Sequence, residues 1–209
     1  MTVNLSSTSK PRRTQEERSA TTRRALLEAT IDVLAEEGYA SLTTTKVAAR
    51  AQVSRGAQVH HFPTKGALVG EAIQYLIGQV TESLLSKVGS LPPGRARTDG
   101  ALDLLWDTYR GRTFQAVIQL SVAGGGDPDI DEKLATLNKV VADLIRGSVP
   151  VLFPEVANFP HFEDALYTAI NTMTGLAVSQ RVAKLSEAEV AGRWRRTKAQ
   201  LLRLITEAT

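Results

Sequence analysis

Residues 44–65 concentrate side chains whose types suit contact with phosphate oxygens and with the hydrogen-bonding edges of bases. These are Thr44, Thr45, Arg55, Gly56, Ala57, His60, His61 and Lys65. Thr44 and Thr45 open a short helix, where unpaired N–H groups and hydroxyls suit a phosphate. Arg55 offers two parallel hydrogen bonds to guanine, worth about 1–3 kcal/mol of discrimination; a phosphate contact or a solvated charge is the plainer alternative. Gly56 lets a backbone approach closely. Ala57 brings a methyl group that can meet thymine. Lys65 falls in the first turn of a further helix, where ammonium and helix terminus together form a phosphate clamp. His60 and His61 lie about 100° apart on a helix and cannot chelate one ion together. His161 is the only other histidine, so no metal site is predicted.

Positioning these groups requires two short helices and a tight turn. Thr43 or Thr44 caps the first helix, and one hydroxyl cannot easily both cap and hold phosphate. Val47, Ala48 and Ala51 share one face, with Ala48 small enough for a second helix to cross above it. Gln52 and Val53 make the turn, Val53 pointing inward. Ser54 caps a second helix over residues 55–62. Such a unit is a helix-turn-helix, whose second helix enters the major groove and reads with its first turn. Before it, residues 16–37 carry Leu26, Ala29, Thr30, Val33 and Leu34 at helical spacing, and Gly38 ends that helix. Thr64 caps the helix that follows.

With its flanks TTRRALLEATIDVLAEEGYASL and HHFPTKGAL, the stretch over about residues 21–68 resembles the N-terminal domain of the TetR family of bacterial transcription repressors. The resemblance implies an all-α chain: an N-terminal three-helix bundle with the helix-turn-helix, and a C-terminal helical ligand-binding and dimerisation domain. It implies backbone contacts for His60 and His61, a homodimer through the last two helices, a small-molecule effector, and repression of a double-stranded DNA operator that the effector relieves. Four positions depart from the family pattern. Gln52 stands where the turn usually has glycine, so the turn is either strained by roughly 1–2 kcal/mol or shaped differently. Gln58 and Val59 replace an apolar residue and a tyrosine, and Val59 cannot make the tyrosine's phosphate hydrogen bond. Gly66 weakens the following helix start by up to ~1 kcal/mol relative to alanine.

Composition narrows the alternatives. The chain of 209 residues is 43% hydrophobic and has no cysteine, which excludes disulfides and thiol chemistry. No run approaches the ~18 apolar residues of a membrane span, and the N-terminus lacks a secretory apolar core, so a cytoplasmic protein is predicted. Residues 1–66 hold ten Lys/Arg against six Asp/Glu, whereas residues 67–209 hold fifteen against sixteen. A basic end on a near-neutral body suits one module facing a polyanion. No Gly-rich phosphate loop, metal spacing or Ser-His-acid motif is present, so neither an enzyme nor a cofactor is predicted. The alternative function is a helical interaction protein with a regulator's shape that no longer reads DNA; Gln52, Gln58 and Val59 keep it open.

The chain divides into a disordered basic arm (1–14), a DNA-binding domain (15–66) and a helical regulatory and dimerisation domain (67–209). Lys10, Arg12 and Arg13 of the arm either enter a minor groove or remain a solvated tail. Helices are predicted over residues 67–88, 101–109 and 113–122. The glycines at 124–126 stop the last of these, and Asp127 caps the next helix with Pro128 at its first position. The run DPDIDE lacks the spaced ligands of a calcium loop. Residues 147–160 hold three prolines and are predicted non-helical. Two long helices follow, at about 162–185 and 187–207. Candidate walls for an effector pocket are Trp106, Tyr109, Phe114, Ile118, Ser121, Tyr167, Asn171 and Met173. They carry no clustered charge, which favours an uncharged or lipophilic ligand.

Overall fold

The computed structural model describes residues 14–123 and 128–206. The arm with Lys10, Arg12 and Arg13, the Gly124–Gly126 stop and the Asp127 cap lie outside the described residues. Among those described, regular structure is helical: α1 Gln15–Glu37, α2 Thr44–Arg50, α3 Arg55–His61, α4 Lys65–Val88, α5 Arg95–Tyr109, α6 Arg112–Ala123, α7 Pro128–Leu152, α8 Phe162–Val182 and α9 Glu187–Thr206, with one 3-10 turn at Tyr39–Ser41.

Local chemistry accounts for the helix ends. Thr14 and Glu17 form a reciprocal capping box at the start of α1. Gly38 ends that helix at φ 81°, a backbone that side chains rarely permit, and its N–H donates to Leu34 at 3.1 Å. Thr43, Ser54 and Thr64 each accept from the N–H three residues on, capping α2, α3 and α4.

Two apolar clusters form the core. The first joins Leu26, Ile31 and Leu34 of α1 to Val47, Phe62, Leu68 and Leu76, and reaches Leu120 of α6 and Leu137 of α7. The second gathers Leu102, Phe153, Leu166 and Met173 around the stacked rings of Trp106 and Trp194, 5.0 Å apart. Beside that stack, Trp194 Nε1 donates to Asp103 at 2.7 Å, and Lys198 pairs with Asp99 and Asp103, tying α9 to α5.

Two expectations from the sequence are corrected. Helix α7 runs through Pro150 to Leu152, where residues 147–160 had read as non-helical. Pro150 sits in the last turn, so its missing N–H removes one hydrogen bond only. Leu152 and Phe153 are buried, and Arg97 donates twice to the terminal Val151 carbonyl, at 3.0 and 2.8 Å. Helix α5 begins at Arg95 instead of residue 101, its polar first turn held by that same Arg97 contact.

Candidate nucleic-acid interface and regulatory cavity

Helix α2 ends in a tight reversal that aims α3. Gln52 N–H donates to Ala49 and Val53 N–H to Ala48, at 3.1 and 3.0 Å, with Gln52 at φ 55°. This pair of bonds is the Schellman closure, with glutamine in the left-handed position that glycine usually fills. Of the two shapes open to the turn, the left-handed one is adopted. Val53 packs against the first core cluster, and Val47 and Ala48 are buried beneath it.

The direction of each α3 side chain follows from this anchoring. Arg55, Gly56, Val59 and His60 are exposed on one face at i, i+3 and i+4 spacing, with Ala57 and His61 half-buried beside them. Gln58 turns inward. It is 2% exposed, and its Nε2 donates to the Phe62 carbonyl at 2.6 Å. The residue that departs from the apolar pattern therefore sits in the core with its amide satisfied, away from the exposed face.

Charge is distributed unevenly across this surface. Lys46 pairs with Glu37 at 2.6 Å, Arg50 with Glu36 at 2.9 Å, and Arg23 with Glu71. Arg55 makes no such pair among the described residues. Lys65 folds back: its Nζ donates to the Tyr39 carbonyl at 3.1 Å and lies 3.7 Å from the Tyr39 ring centre. Burial, then the neighbouring His60 and Arg23 charges, hold the His61 imidazole below its ordinary value. Thr43 is the α2 cap, which leaves the half-buried Thr44 and the exposed Thr45 with free hydroxyls at that helix start.

The C-terminal helices and α4 enclose a cavity of about 110 Å³. Its walls come from five helices, with Leu76 and Val80 of α4, Tyr109 of α5, Phe114 and Val117 of α6, Leu137, Val141 and Ile145 of α7, and Leu166 of α8. The rings of Tyr109 and Phe114 lie 4.2 Å apart. The Tyr109 hydroxyl has no hydrogen-bond partner among the described residues, and burial pushes it up to about 12. It thus keeps its proton at any ordinary pH and can donate a hydrogen bond.

Of the eight residues read as pocket walls, this cavity takes Tyr109 and Phe114. Trp106 is spent on the Trp194 stack, and Met173 is sealed in the second core cluster. Ile118 is half-buried off the cavity, and Ser121 is exposed with its hydroxyl on the Val117 carbonyl. Tyr167 and Asn171 face outward from α8. The walls missed by sequence were legible only as helical stripes: Leu76 and Val80 on α4, and Leu137, Val141 and Ile145 on α7.

Comparison with known proteins follows the same division. A family profile described as bacterial regulatory proteins, tetR family, matches residues 26–72. The HTH-type transcriptional regulator CymR of Pseudomonas putida is 35% identical over 171 residues, covering 80% of this chain and 83% of that protein. An uncharacterized HTH-type transcriptional regulator of Mycobacterium bovis is 29% identical, covering 85% and 91%. Among solved structures, FadR of Bacillus subtilis in complex with stearoyl-CoA superposes with a TM-score of 0.64 at 16% identity, over 88% of this chain and 97% of that one. At that identity the likeness is one of fold.

Proposed function

This chain belongs to the TetR family of bacterial regulatory proteins and is a helix-turn-helix transcriptional regulator, and on that premise we propose that it is a dimeric repressor released from a near-palindromic operator by an uncharged small molecule. The observation that carries the DNA half of this reading is the exposed face of α3, where Arg55 is unpaired while Lys46 and Arg50 are tied to α1. Arg55, Gly56 and Ala57 read bases, and Thr44, Thr45, His60, His61 and Lys65 hold phosphates. Lys65 exchanges its Tyr39 carbonyl contact for a phosphate oxygen. Residues 15–66 act as the reader and residues 67–209 as the responding body.

One recognition helix covers few base pairs, so specificity requires two, spaced about 34 Å apart. The dimer forms through α8 and α9. On α8, Tyr167, Asn171, Gly175, Val178 and Val182 make one outward stripe, with Tyr167 51% and Val182 78% exposed, and Leu204 is exposed on α9. An alanine-sized group at Gly175 would meet nothing within 4 Å, which leaves room for close helix approach.

The cavity receives the effector. No charged side chain lines it, so an ionised ligand would be left unpaired in an apolar wall. An uncharged molecule that offers one acceptor to Tyr109 suits it. FadR of Bacillus subtilis carries stearoyl-CoA, and an acyl chain has the apolar character of these walls. Helix α6 links the halves, since it contributes Phe114 and Val117 to the cavity and Arg112 to α1. A ligand acts only if it prefers one spacing of the two reading heads.

The test is selection of duplexes from a random pool by the full-length protein, followed by fluorescence anisotropy over a salt series. One near-palindrome bound by two protomers, with a steep loss of affinity with salt, is expected. Arg55→Ala should lose affinity and base preference together. An interaction protein with a regulator's shape would be indifferent to both.

A further inference from the structure

The exposed face of α3 contains one large apolar side chain, and it stands where the family's tyrosine would bond a phosphate. Val59 is 48% exposed and packs against neither core cluster. It has no hydrogen-bonding group, so any contribution to an interface comes from apolar contact. It is three residues after Gly56 and four after Arg55. In a helix, a side chain leans toward the N-terminus and covers the turn before its own Cα. Val59 therefore lies over the first turn of α3, the part that reads base edges in helix-turn-helix proteins. Gly56 leaves that turn bare: a methyl group added there meets nothing within 4 Å. Internal packing gives no reason for glycine inside a seven-residue helix, where it costs about 1 kcal/mol relative to alanine. A partner that approaches the helix closely at Gly56 does.

We infer that Val59 is a specificity residue that reads the 5-methyl group of a thymine in each half-site, seated beside the bare backbone of Gly56. The major groove offers one apolar base mark, and this is it. The inference rests on the DNA-reading function proposed above.

The experiment uses the selected operator with each thymidine replaced in turn by deoxyuridine, which removes the methyl group and keeps the base pair. At one thymine per half-site, the wild-type protein should lose about fourfold in affinity, the worth of one buried methyl. Val59→Ala should bind the parent duplex about fourfold more weakly and bind the thymidine and deoxyuridine versions of that position equally. An unchanged melting temperature and dimer mass would show that the variant folds, as the exposure of Val59 leads one to expect. Indifference of the wild type to every replacement overturns the inference. So does a Val59→Ala protein that keeps the full deoxyuridine penalty, since Ala57 or another group then meets the methyl. A uniform loss on all duplexes places Val59 against sugar and also overturns it. A pool that yields no preferred duplex removes the DNA-reading function itself, an outcome separate from these.

Discussion

Arg112 of α6 and Glu28 of α1 form an ion pair of 2.6 Å across the joint between the cavity wall and the helix-turn-helix module. The same guanidinium reaches Asp32 at 2.5 Å, and Glu28 also accepts from Tyr75 at 2.5 Å and Gln79 at 2.7 Å. One carboxylate thus joins α1, α4 and α6. Phe114 of the cavity is two residues from Arg112, so one short segment of α6 carries both the cavity wall and the ion pair to α1.

The first prediction is a pH dependence. Burial raises the Glu28 carboxyl, but hydrogen bonds from Tyr75 and Arg112, with the Arg112 charge, outweigh it and hold the group below its ordinary 4.5. A carboxyl depressed in the fold contributes stability that is complete above the unfolded value and is lost as pH falls through the folded one. Wild type should therefore melt above Glu28→Gln at neutral pH, with the gap closing as pH drops below about 4.5. Melting curves of both proteins over that range measure it, and a gap that widens in acid contradicts the assignment.

Gly56→Ala should separate stability from function. The added methyl meets nothing inside the protein and favours the helix by about 1 kcal/mol. If α3 reads DNA as proposed, the same methyl stands in the path of the duplex, and operator affinity should fall by about tenfold or more, comparable to a mispaired contact. A variant that is more stable and binds as well as wild type would mean the backbone at Gly56 stays clear of the groove.

Gln52→Gly should raise stability by about 1 kcal/mol, because glutamine is held at φ 55° in a position that suits glycine. For a chain of this size that is about 2–4 °C in the melting midpoint. Operator affinity should not change, since the two closing hydrogen bonds are backbone bonds. A lower midpoint would show that the Gln52 side chain contributes contacts of its own.

Tyr109→Phe removes a hydroxyl that lines the cavity and bonds to no other group among the described residues, so the empty protein should be about as stable as wild type. Ligands that release DNA through an acceptor oxygen should lose about tenfold in potency, whereas plain hydrocarbons should lose nothing. Anisotropy of the operator complex, titrated with matched ketone and hydrocarbon pairs, reads the difference. Equal potency on both proteins would place the acceptor elsewhere.

Features that depend on neighbours in sequence were legible from the residues alone. The caps Thr43, Ser54 and Thr64, the helix end at Gly38 and the steep turn at residues 51–54 are each decided within four residues. Caps and φ preferences act at that range, so the helix-turn-helix could be read directly, and the all-α class followed from the resemblance it carries. What the sequence could not decide depends on contacts between distant helices. Gln58 faces inward because the Phe62 carbonyl offers its amide a buried partner. Lys46 and Arg50 are held in ion pairs because the end of α1 presents Glu36 and Glu37 beside them. The continuation of α7 past Pro150 to Leu152 is met by Arg97, which lies more than fifty residues earlier. The cavity is the extreme case. An apolar residue lines it or fills core according to where five helices leave a gap, and helical periodicity gives the same stripe for both. Trp106 and Met173 went to core, Tyr167 and Asn171 to the outer face of α8, and Tyr109 and Phe114 to the cavity, because packing density, and not residue type, separates these fates.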